Sequence, residues 1–123
     1  MRGGAYEEAM EKFIKNLDYA KVLDLADQNA IMPGQVVSKT LVQNKGMGMT
    51  LFAMPKGEGI SAHKSSGDAF IYILDGACSV QIDDEHFELK KGQSIVMPAG
   101  HPHAVSARDD FKMLLLVVFP PDA

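Results

Sequence analysis

The feature that most constrains the fold is the punctuation of residues 33–119. Turn-forming groups recur every few residues: Pro33-Gly34, Asn44-Lys45-Gly46, Pro55-Lys56-Gly57, Asp75-Gly76, Asp83-Asp84-Glu85, Lys91-Gly92, Pro98-Ala99-Gly100 and Arg108-Asp109-Asp110. Most of the segments between them are too short for helices and rich in apolar residues. The pattern predicts strands over 36–43, 47–54, 69–74, 77–82, 86–90, 94–97, 104–107 and 111–119. Many short strands at near-even spacing imply an all-β sandwich or barrel. A chain of 123 residues suffices for one domain, burying about two-thirds of its unfolded surface.

The first 32 residues have a different grain. Met10, Phe13, Ile14 and Leu17 recur at the spacing of one helical face. Glu7, Glu8 and Glu11 stand early and Lys12 and Lys15 late, an order that suits a helix dipole. The expectation is a short amphipathic helix over Tyr6 to Leu17. Residues 18–29 fit either a continuation or a short edge strand through Val22, Leu23 and Leu25, and the strand is favoured. The organisation expected is an N-terminal helical or extended arm over 1–32 and a barrel over 33–123.

Charge and composition narrow the partners. The net charge is −4 and the only arginines are Arg2 and Arg108. No basic stripe exists, which argues against nucleic acid, and few forked donors are available for a polyphosphate. The single cysteine, Cys78, excludes an internal disulfide and suits a reducing compartment. Cys78 alternates with Val80 and Ile82 and reads as a core residue. The apolar run from Leu114 to Phe119 is far too short to span a bilayer. A cytoplasmic location and no membrane partner are expected.

Several strands are apolar on both faces. Neighbours in 70–74 and in 112–119 point to opposite sides of a sheet, yet nearly all are apolar. The outer face therefore needs a cover, either the N-terminal helix or a second subunit. A homodimer is expected, formed through Phe70, Tyr72 and Leu74 or through the C-terminal strand.

Two stretches carry the chemistry. Residues 57–76, GEGISAHKSSGDAFIYILDG, place His63 before a polar turn and an apolar strand. Residues 92–103, GQSIVMPAGHPH, place His101 and His103 after a Pro-Ala-Gly turn. Together they resemble the paired motifs of the cupin superfamily, small jelly-roll β-barrels that often hold one divalent metal. In the first motif Gly57, His63 and Gly76 fall in register, with Ser65 at the second histidine position and Ala69 at the glutamate position. In the second, Gly92, Pro98, Gly100 and His103 match, and Ala107 takes the asparagine position. The resemblance covers roughly residues 34–119. It implies a cupin jelly roll in which two of the family's four ligands, His63 and His103, are retained.

Two residues stand as replacements for the missing ligands. His101 could restore a His-x-His pair with His103, because the residue before a proline favours extended backbone and residues i and i+2 of a strand share a face. Asp68 adjoins the glutamate position, but a regular strand would turn it away and a bulge would be needed. Against the metal reading stands a plainer one, with His63 and His103 as hydrogen-bonded polar residues at the barrel mouth and His101 in solvent. His86, beside Glu88 and Lys90, reads as solvated. Ser65, Ala69 and Met97 are expected to line the pocket, and the methionines of the strands fill the core or give an apolar ligand a soft lining.

Two functions follow from different classes. One is a barrel that binds a small molecule, with the histidines orienting it. The other is a metal-dependent enzyme of dioxygenase or isomerase type, in which zinc, nickel, manganese or iron sits on His63 and His103 with His101 or water. A metal-free acid–base enzyme would need a carboxylate to orient a histidine, and none is clearly placed.

Overall fold

The computed structural model of the protein describes residues 11–122. The described residues form two antiparallel sheets. The strands are β1 (Val37–Gln43), β2 (Met47–Met54), β3 (Gly59–His63), β4 (Asp68–Asp75), β5 (Ala77–Ile82), β6 (Glu85–Lys90), β7 (Ser94–Met97), β8 (His103–Ala107) and β9 (Phe111–Val118). One sheet runs β1-β2-β9-β4-β7 and the other β3-β8-β5-β6. Eight of these strands match the punctuation of the sequence. β3 does not. Its residues are largely exposed, and it exists because β8 offers an edge to pair with.

Alternation packs the core between the sheets. Ala69, Ile71 and Ile73 of β4 point inward at 0–1% exposure. They meet Cys78 and Val80 of β5, Met97 of β7, Val105 of β8 and Met113 of β9. Burying each isoleucine contributes about 2 kcal/mol. Gly76 makes the β4–β5 turn at φ 76°, where a Cβ would strike the Asp110 carbonyl. Both demands admit glycine alone.

The arm differs from expectation. Tyr6–Met10 lie outside the described residues, and 11–17 hold no helix. Asn16 and Ala20 have positive φ, at 61° and 53°, which a helix does not tolerate. Lys15 N donates instead to Leu41 O at 2.7 Å, and Asn16 Nδ2 to Thr40 O at 2.7 Å. Phe13 remains 75% exposed, so the anticipated helical face is not buried there. Residues 18–29 form no strand, only a 3-10 turn at Leu25–Asp27.

What the arm does is cover part of the outer sheet face. Leu17 and Leu25 pack on Leu41, Val42 and Leu51, with Leu74 and Leu114 beside them. Asn29, 6% exposed, fastens this cover by donating from Nδ2 to Leu51 O at 3.0 Å and Val37 O at 3.2 Å. Leu74 is therefore satisfied within the chain. Among the described residues the other side of that face is open: Tyr72, Val96 and Val118 are 39%, 54% and 53% exposed.

A histidine pair at an apolar cavity

The two motif stretches meet at one end of the sandwich. His63 closes β3 and His103 opens β8, and the two are cross-strand partners. Their rings lie 4.5 Å apart at 69°, edge to face. The turns beyond them are joined as well. Gly100 N donates to Ser65 O at 2.9 Å, and Ala99 N to Asp68 Oδ1 at 2.9 Å.

Opposite the histidines is the cross-strand row Met97–Ala69–Val117 of the five-stranded sheet. Between the two lies a cavity of about 210 Å³. His63, Ser65, Ala69, Met97 and His103 all line it, with Ile60, Lys64, Val105, Met113 and Leu115. Ile60 and His63 are three residues apart, and in a regular strand they would face opposite sides. An irregularity of register between them brings both to the cavity. No residue type announces that bulge, so Ile60 and Lys64 were not legible as cavity residues.

The two rings are held differently. His63 Nδ1 lies 3.0 Å from Ser61 O. A carbonyl only accepts, so Nδ1 carries the proton and the Nε2 lone pair of the neutral ring is left free. His103 is 3% exposed, and its Nδ1 is buried without a hydrogen-bond partner among the described residues. Burial, then the neighbouring His63, holds His103 below the ordinary imidazole range. The His101 backbone acts in the opposite direction, without closing a hydrogen bond to Nδ1.

The expected pairing of His101 with His103 does not form. β8 begins only at His103, so the alternation that would align the two rings starts too late for His101. Its Nδ1 lies 2.7 Å from Asp83 Oδ2 in an exposed contact, and His101 is not in the cavity wall. Asp68 also stays away. β4 is regular there, Ala69 faces in, and Asp68 faces out. Cys78 is a core thiol whose pKa burial, helped by Glu88, pushes up to about 11. His86 is exposed.

These residues can be tested against a divalent ion. The cavity offers two imidazoles and one serine hydroxyl, whereas catalytic zinc sites have three protein ligands. Among the described residues no three histidine, cysteine, aspartate or glutamate side chains cluster closely enough to hold an ion. Lys64 adds a cation to the wall. The donor set does not fit a metal held by this chain alone.

A wider groove of about 540 Å³ runs over the outer face of the four-stranded sheet, past Ser61, Gln81, His86 and Arg108. Its guanidinium is already engaged, with Arg108 Nε 2.9 Å from Glu88 Oε1. No buried unpartnered atom belongs to its lining. The inner cavity is the candidate site.

Two sheets closed over one core, with paired motifs meeting at one end, define a small jelly-roll barrel. Residues 50–119 match the cupin domain family, and the chain belongs to that family. It is 47% identical to a conserved protein of unknown function from Streptococcus pyogenes, whose crystal structure superposes with a TM-score of 0.87 over 91% of this chain and 97% of that one. A cupin superfamily protein from Desulfitobacterium hafniense is 30% identical, with a TM-score of 0.83 over 87% and 98%. An uncharacterised protein of Methanocaldococcus jannaschii is 30% identical over 94 residues, 72% of this chain and 75% of its own length.

Proposed function

We propose that the protein binds a small organic molecule in the cavity between His63–His103 and Met97–Ala69–Val117. One observation carries this reading. His103 lines an otherwise mainly apolar cavity, buried, with Nδ1 unpartnered. His63 beside it, whose Ser61 contact leaves Nε2 free, adds a second polar ring to the same wall. Apolar walls with a few convergent polar groups are the usual make-up of a ligand site.

The test uses methionine-methyl NMR. Met97 and Met113 line the cavity, whereas Met32 and Met47 do not. Benzoate, benzamide and benzylamine serve as probes of one size and three charges. Saturable shifts at Met97 and Met113, with Met32 and Met47 unmoved, are expected from at least one. No shift from any of the three at millimolar concentration overturns the reading.

A second reading is favoured by the Ser61 contact, which leaves His63 Nε2 free as a ligand atom. In it, a divalent metal joins the two imidazoles only when a bound molecule adds its own oxygen donors, the arrangement a metal-dependent enzyme would need. Elemental analysis after incubation with zinc, nickel, manganese or iron(II) separates the readings. Near-stoichiometric metal that is lost in His103→Ala supports this one.

The open outer patch supports a homodimer. Val96, Phe70 and Leu116 form one cross-strand row beside exposed Tyr72 and Val118. A second copy would cover what the arm leaves bare. The unpaired, buried Cys78 fits a reducing, cytoplasmic setting.

A further inference from the structure

Resting on the ligand-binding reading, the geometry points to a compact apolar carboxylic acid as the ligand of the His63–His103 cavity. Three residues of the wall carry groups that can donate to an anion: an ammonium, a hydroxyl and an imidazole. Lys64 and Ser65 line it beside His103. Ser65 Oγ already accepts from Gly67 N at 3.1 Å, which leaves its O–H to donate. His103 contributes its imidazole to the same wall.

No carboxylate among the described residues opposes these donors. Among the described residues the cavity wall contains no acidic side chain. Asp68 is turned out and bonded to Ala99 N, and Asp83 faces His101. A ligand carboxylate entering this wall would find the paired, charge-assisted hydrogen bonds that make burial of an anion tolerable. A ligand ammonium would meet Lys64 with nothing to neutralise it, a mismatch that excludes as effectively as a clash.

The rest of the cavity sets the size of the tail. Ile60, Val105, Met113, Leu115 and Val117 are aliphatic or thioether groups. A dry cavity of about 150 Å³ takes a benzene ring. The 210 Å³ found here leaves room for a ring or short branched chain of that bulk with one carboxylate.

The probes benzoate, benzamide and benzylamine test the inference separately from the reading beneath it. Dissociation constants come from the Met97 and Met113 methyl shifts at low ionic strength. Benzoate is expected to bind about tenfold more tightly than benzamide, and benzylamine not to saturate. Lys64→Met, at an exposed position where the fold should survive, is expected to weaken benzoate about five- to tenfold and leave benzamide unchanged. Equal affinity for benzoate and benzamide, or a benzoate affinity indifferent to Lys64→Met, overturns the preference for an acid while the binding cavity stands. Silence at both methyls with all three probes overturns the cavity itself.

Discussion

Filling the cavity from Ala69 should stabilise the protein and abolish ligand binding together. Ala69 is 1% exposed, and its methyl lies in the cavity wall opposite the histidines. Leucine at this position adds three carbons. Each buried methylene contributes about 0.8 kcal/mol, and fixing the leucine rotamer costs about 0.5–1 kcal/mol. The space is about 210 Å³, so the overpacking that costs about 1–3 kcal/mol in a filled core should be largely avoided. The expected gain for Ala69→Leu is about 1–2 kcal/mol. For a domain of this size that is a rise in Tm of about 3–8 °C. Calorimetry or thermal circular dichroism measures it, and the Met97 and Met113 methyl titration should show benzoate binding weakened at least tenfold. Such a pairing is the mark of a site kept open at the expense of stability. A fall in Tm of several degrees would refute the reasoning, since it would mean that the space opposite His103 is already filled.

Three further outcomes are expected. His103 has its native pKa below the ordinary value near 6.5, chiefly through burial. Between those two pH values the unfolded chain binds a proton that the native state refuses. His103 should therefore remove stability as the pH falls below about 6.5, and the loss should level off below its native pKa. Urea midpoints between pH 7.5 and 5 should show a steeper decline in the wild type than in His103→Gln. Asn29→Ala removes two hydrogen bonds that hold the arm to β1 and β2. A cost of about 2 kcal/mol is expected, and an unchanged midpoint would show that Asn29 does not fasten the arm. Tyr72→Glu places a charge in the open outer patch and should yield a monomer in sedimentation equilibrium; a soluble, unaltered dimer would remove this face from the interface.

The alternation and turn chemistry of residues 37–118 are local properties, and they determined most of the β architecture. Ile71, Ile73 and Met113 face the core because side chains of a strand alternate. Gly76 sits where it does because its φ and the nearby Asp110 carbonyl exclude a Cβ. The resemblance of residues 57–76 and 92–103 to the paired family motifs implied His63 and His103 as site residues with Ser65, Ala69 and Met97, and these five residues line one cavity. The helix expected in the arm is absent from 11–17 for the opposite reason. The helical spacing of Phe13, Ile14 and Leu17 is a weak preference, and backbone hydrogen bonding to Leu41 and burial of Leu17 and Leu25 on the outer sheet outweighed it.

The candidate site divides along the same line. Which residue types stand near the histidines was implied by the family resemblance of the two motifs. Which way each one points was decided by the tertiary structure. A register irregularity in β3 turned both Ile60 and His63 inward and brought Lys64 to the wall. The start of β8 at His103 left His101 to Asp83. Ala69, where the family pattern has a carboxylate, became one wall of a cavity only because Val117 and Met97 flank it from two strands distant in sequence. Register, edges and enclosed space are set by chains pairing across long sequence separations, and no local pattern encodes them.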